Sequence, residues 1–143
     1  MEITILGQTP SQKNGKQIVK NRSTGNMFIM SNSRVKNWQE DAIRQLASIS
    51  CKFSGRVQID YMFYVKDRVQ RDLDNMIASV NDVLQVANCE YAIQRGKMRP
   101  VKGTGIIKGD NWQLLRIGSA DAEIDKENPR VVLTITEIPA KST

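Results

Sequence analysis

Hydrophobic residues recur along this chain at two periods, and the switches between them mark its elements. Glu2–Leu6 is a short apolar strand, and 7–15, with Pro10 and Gly15 among polar residues, reads as a loop. Lys16–Lys20 and 27–30 flank the polar, basic run Asn21-Arg22-Ser23-Thr24-Gly25-Asn26, which predicts a hairpin. Val35, Trp38, Ala42, Leu46 and Ile49 fall at helical spacing, with Ser31 or Ser33 in place to cap the start. From 56 to 66 the period becomes two. Val57, Ile59, Tyr61, Phe63 and Val65 share one face, and Gln58, Asp60, Met62, Tyr64 and Lys66 the other, which predicts a long, half-buried strand. A 3.6-residue stripe then returns through Leu73, Met76, Ile77, Val80, Val83, Leu84 and Ala87. Strand is expected again over 112–117 and on through Ile124, with Gly118 the place for a bulge, and over 130–138 after the turn Lys126-Glu127-Asn128-Pro129.

Segregated strands with two helices to cover them predict an α+β fold: a small mixed β-sheet with two main helices packed on it. The 143 residues make one domain, 1–143. A chain of this size buries about 68–70% of its unfolded surface, enough for a core without disulfide or metal staples. The chain contains no histidine, which excludes Ser-His-Asp and Cys-His nucleophiles and histidine-held metals. Catalysis is left to carboxylates, lysine, hydroxyls or a metal held by oxygen. Cys51 and Cys89 show no C-x-x-C spacing, and two thiols suit a reducing cytoplasm. No apolar run approaches the ~20 residues that span a bilayer, and no signal-peptide region is present, so no membrane partner is expected.

Charge is unevenly placed. The net charge is +6, and no acidic residue occurs from Ile3 to Gln39, where Lys13, Lys16, Lys20, Arg22, Arg34 and Lys36 lie. A glycine-containing basic segment at about 88–109 carries Arg95, Lys97, Arg99, Lys102 and Lys108 against Glu90 alone. Clustered cations favour a phosphate-rich partner, because each neutralised phosphate releases counterions; the plainer account is a solvated face. The stretch 95–108 reads either as a solvated loop or as a flap ordered by DNA. Trp112 is a candidate for stacking on bases, whereas Trp38, on an apolar helical face, belongs to the core.

The chemistry concentrates where the long strand meets the second helix, at Arg71-Asp72-Leu73-Asp74-Asn75. Inside a helix, carboxylates two residues apart diverge by about 200°. At a helix start the first can be extended and the second in the first turn, so both can lean toward one point. The positive end of the helix dipole welcomes anions there, and clustered oxygens are what Mg²⁺ or Mn²⁺ requires. The alternative is that Asp72 caps the helix and Asp74 supports its first turn, with no other role.

The Arg71-Asp72-Leu73-Asp74-Asn75 run resembles the signature of the RusA-type Holliday-junction resolvases. Pro10-Ser11-Gln12-Lys13-Asn14, Ser31, Trp38, Asp82 and Leu133-Thr134-Ile135-Thr136-Glu137 agree in order, and the likeness spans roughly 2–86 and 106–138. It implies a RusA-like fold in a homodimeric, Mg²⁺-dependent endodeoxyribonuclease, often prophage-borne, that nicks opposed strands of four-way DNA junctions symmetrically. It puts two metal-binding aspartates on Asp72 and Asp74. The third, in a D-D-x-x hairpin pattern, is matched only at Gly109-Asp110-Asn111-Trp112, so Asp110 is the expected ligand and Asp121 the substitute. Lys13, Lys16, Arg68, Arg71 and the basic residues Arg95, Lys97, Arg99, Lys102 and Lys108 are the expected phosphate contacts. Two departures stand out: the family lysine one turn into the second helix is Ala78, leaving Lys108 as the candidate replacement, and the 88–109 segment is an insertion. A non-catalytic junction- or nucleic-acid-binding protein is the second reading, and a small structural or interaction protein the third.

Overall fold

The strict alternation over 57–65 is realised as the central strand of a four-stranded sheet, seen in a computed structural model. It covers residues 1–11, 16–31, 33–85, 88–94 and 97–141, with side chains for all of these except 16–19, 28–31, 33, 88–94 and 97–102. The elements run β1 (Glu2–Leu6), β2 (Lys16–Lys20), β3 (Met27–Ser31), α1 (Ser33–Leu46), β4 (Val57–Val65), α2 (Leu73–Leu84), β5 (Asn88–Gln94), β6 (Lys97–Lys102), β7 (Leu115–Ile124) and β8 (Arg130–Glu137). The sheet order is β1-β8-β4-β7. β8 lies antiparallel to both β1 and β4, and β7 parallel to β4, so the sheet is mixed and the architecture α+β.

One face of this sheet carries the core. Ile3, Ile5, Val57, Ile59, Tyr61, Phe63, Val131, Leu133 and Ile135 are buried there against Trp38, Ala42 and Leu46 of α1 and Met76, Val80, Val83 and Leu84 of α2. Trp38 is thus a core residue, as its helical spacing predicts. The bulge expected at Gly118 is present. Ile59 pairs with Ile117 but Tyr61 with Ala120, so 118 and 119 together face Asp60. Gly118 leaves room there for the Asp60 and Gln58 side chains, which an added Cβ would force to move.

Within the core Tyr61 donates a 2.5 Å hydrogen bond to Asn81 Oδ1 of α2. Burial pushes the Tyr61 phenol well above its ordinary value of 10.0; the Asn81 bond opposes this and the Asp110 charge adds to it. Tyr61→Phe should leave the buried Asn81 amide short of a partner and destabilise the fold by about 1–3 kcal/mol, read by urea unfolding. An unchanged midpoint would show that the bond contributes nothing net.

Two antiparallel hairpins, β2–β3 and β5–β6, form separate two-stranded sheets. The second puts strand into the stretch 95–108, where a solvated loop was one of the two expectations. Residues 97–102 form β6, paired with β5 from Gln94↔Lys97 to Asn88↔Lys102. Residues 103–107 then close the C-terminus of α2. The Thr104 N–H and hydroxyl donate to the Val83 carbonyl at 2.8 and 3.0 Å, and the Ile107 N–H to the Leu84 carbonyl at 3.1 Å. These are carbonyls a helix end leaves unpaired. Gly103 permits the approach, because a Cβ there would overlap the Gln85 carbonyl oxygen. Among the described residues, no helix is long and apolar enough to cross a membrane.

Candidate active site at the start of the second helix

β4 ends at Val65, and the chain turns through 66–72 before entering α2. The loop after β1 is tied to this turn. The Lys66 N–H donates to Gln8 Oε1 at 2.8 Å, and the Ser79 hydroxyl to the Pro10 carbonyl at 3.2 Å. Two sequence motifs far apart in the chain, Pro10-Ser11 and Asp72-Leu73-Asp74-Asn75, are thereby brought to the same end of the sheet. Lys13 lies outside the described residues.

Three contacts hold the turn. Asp67 Oδ1 accepts the Val69 N–H at 3.1 Å and the Arg71 guanidinium at 2.8 Å, while Arg71 Nη1 donates to the Val69 carbonyl at 3.2 Å. The Arg71 hydrogen bond holds the Asp67 carboxyl below its usual value of 3.8, against a smaller opposing effect of burial, with the Val69 N–H and the Lys66 charge assisting. The stabilisation from this pair is therefore complete above pH 3.8 and is lost as pH falls through the lower folded value. The Arg71 side chain is only 11% exposed. Arg68, by contrast, is exposed.

Asp72 occupies the N-cap position of α2 with extended backbone (φ −71°, ψ 120°), but its side chain makes no capping hydrogen bond. Among the described residues its Oδ2 accepts one long 3.4 Å contact, from the Asn75 side-chain amide. Asp74 sits in the first turn, where its Oδ1 takes the Asn75 N–H at 3.0 Å. Both carboxylates are exposed. Capping thus accounts for where Asp72 stands but leaves its carboxylate unused.

Asp110 does not join this pair within one chain. It follows Ile107, which is bonded to Leu84 at the last turn of α2, and that helix of 12 residues is about 18 Å long. The sheet agrees: β7 starts at Leu115 opposite Val57, the first residue of β4, whereas Asp72 follows the last. Lys108 is exposed at that same far end. Asp121 lies nearer. With Val65, Val69, Arg71, Leu73, Met76 and Ala122 it lines a pocket of about 210 Å³, and Arg71 and Leu73 flank Asp72. Among the described residues, no group of three acidic or thiol side chains converges closely enough to hold a metal ion.

Of the remaining expected phosphate contacts, Lys16 lies on β2 and Lys97, Arg99 and Lys102 on β6, with side chains beyond those described, and Arg95 lies outside the described residues. Trp112 is 68% exposed, in the turn before β7. The sequence reading missed the Asp67–Arg71 pair, although its i, i+4 spacing was visible. It also carried no sign that the 103–107 segment closes the end of α2. A scan against protein-family models finds no match, and no curated protein is similar in sequence.

Proposed function

We propose that this protein is a Mg²⁺-dependent, structure-selective endodeoxyribonuclease that resolves four-way DNA junctions by paired symmetric nicks. One observation carries the reading: Asp72 and Asp74 present two exposed carboxylates at a helix N-terminus, and the Asp72 side chain has no capping duty. Magnesium commonly takes one or two protein carboxylates together with water and substrate phosphate oxygens, so this hard-oxygen pair is a fitting donor set, and Mn²⁺ a workable substitute. When bound, the ion activates water and stabilises the leaving oxygen. The positive end of α2 draws the phosphate toward the pair, and exposed Arg68 beside it fixes the backbone of the DNA. The protein works in the cytoplasm, a compartment that suits the exposed, free Cys51 thiol.

A homodimer follows from the substrate, because two coordinated nicks on a two-fold junction need two sites related by that symmetry. β7 offers a surface for it: a ten-residue edge strand whose Ile117 and Ile124 are half exposed. The mass in solution is expected to be twice the chain's 16.1 kDa. A monomer at micromolar concentration that junction DNA leaves unchanged would contradict the dimer.

A non-catalytic junction- or nucleic-acid-binding protein is the competing reading, favoured by the separation of Asp110 from the pair. Incubating the protein with a synthetic four-way junction in Mg²⁺, with an EDTA control, separates them. The enzyme nicks, whereas the binder shifts the junction and leaves every strand intact.

A further inference from the structure

We infer that Asp67 and Arg71 form a positioning clasp: their ion pair sets the turn that delivers the Asp72 and Asp74 carboxylates to a shared cation. The inference rests on the metal-site reading of that carboxylate pair. It also changes the part expected of Arg71 from phosphate contact to support.

Arg71 is poorly placed to meet DNA. Its side chain is 11% exposed, and two of its donors are engaged, on Asp67 at 2.8 Å and on the Val69 carbonyl at 3.2 Å. The pair is not an ordinary i, i+4 contact on a helix surface, because 67–71 precede α2 and form no helix. It closes an irregular turn instead. Asp67 Oδ1 also accepts the Val69 N–H at 3.1 Å, so the two side chains hold both backbone polar groups of Val69 between them. The residue after Arg71 is Asp72. Since its carboxylate makes no cap bond and, among the described residues, receives one 3.4 Å contact from Asn75, the turn that places its backbone is what aims it. Partners that orient a metal ligand without touching the metal typically account for about 10–100-fold in metal affinity or activity. Arginine is needed because its planar fork reaches the carboxylate and the carbonyl together, which a lysine ammonium on a flexible stem does not reproduce.

The test uses the full chain and four variants: Asp67→Ala, Arg71→Lys, Arg71→Ala and the double Asp67→Ala/Arg71→Ala. Free Mn²⁺ is followed by its paramagnetic resonance signal during titration, and single-turnover cleavage and binding of a four-way junction are measured in parallel. Each variant is expected to weaken Mn²⁺ binding and slow cleavage about 10–100-fold, with junction affinity close to wild type and a circular-dichroism melt that is lowered yet still cooperative and well above the assay temperature. The double variant should be no worse than Arg71→Ala, since both changes open one clasp. Two results overturn the inference: Asp67→Ala matching wild type in Mn²⁺ binding, or Arg71→Lys retaining full function while Arg71→Ala weakens junction binding and flattens its salt dependence. The second would make Arg71 a direct phosphate contact. A wild type that binds Mn²⁺ without cutting leaves the Mn²⁺ affinities to decide on the clasp. A wild type that neither binds Mn²⁺ nor cuts overturns the metal-site reading, and the clasp with it.

Discussion

Asp74→Asn is expected to abolish junction cleavage while leaving junction binding at least as tight as in the wild type. The substitution keeps the shape of the side chain, and its amide oxygen can still accept the Asn75 N–H that Asp74 accepts at 3.0 Å, so the helix start should survive. What disappears is one negative charge of a two-carboxylate donor set, with no third acid converging on it among the described residues. The loss should exceed the roughly 10–100-fold typical of residues that only support a metal ligand. Binding should respond in the opposite sense, because an exposed carboxylate repels the phosphate backbone and its neutralisation relieves that repulsion. Single-turnover cleavage in Mg²⁺ and an electrophoretic binding titration in Ca²⁺ measure the two separately. Cleavage at the wild-type rate would remove Asp74 from the site. Weakened binding in step with cleavage would make it a structural residue.

The second large effect concerns the β5–β6 hairpin. Converting Arg95, Lys97, Arg99 and Lys102 together to Ala should weaken junction binding and flatten its dependence on salt, by about 0.9 in the log–log slope for each phosphate that is no longer neutralised. If all four meet phosphates, the slope falls by about 3.6, and affinity at low salt drops by orders of magnitude. The hairpin springs from the C-terminal end of α2, the opposite end of the helix from Asp72 and Asp74. The loss should therefore fall on DNA binding and not on Mn²⁺ affinity. Charges whose work is to meet phosphate contribute within about ±0.5 kcal/mol to folding, so the melt should hold. Binding titrations at three salt concentrations decide the matter. An unaltered slope would make the hairpin charges solvent-facing and confine DNA contact to the β2–β3 region and Arg68.

How far these expectations were legible in the sequence depends on the range of the interactions behind them. The two-residue alternation over 57–65, the helical stripes through Trp38 and Met76 and the bulge at Gly118 are local signals, and each is realised where the residues place it. The start of α2 at Leu73 is local too. The hairpin 88–102 was hidden because cations and Pro100 interrupt its alternation, although Pro100 pairs opposite Tyr91 at an irregular register. The position of Asp110 was beyond local reading altogether. It is set by the parallel register of β7 on β4, Leu115 opposite Val57, and by the 103–107 segment folding onto the end of α2. Neither leaves a periodic trace. Arg71 shows a different kind of gap. Its spacing from Asp67 was visible, but a basic residue beside an acidic motif reads equally as a phosphate contact until its burial is known.

The most direct test of the central claim is to map cleavage of a synthetic four-way junction, each strand end-labelled in turn, on denaturing gels in Mg²⁺ and in EDTA. The proposed resolvase nicks two opposed strands at symmetry-related positions in Mg²⁺, leaves the linear duplex of the same sequence uncut, and is silent in EDTA. A junction that is bound and shifted yet remains intact on all four strands in both Mg²⁺ and Mn²⁺ would contradict it.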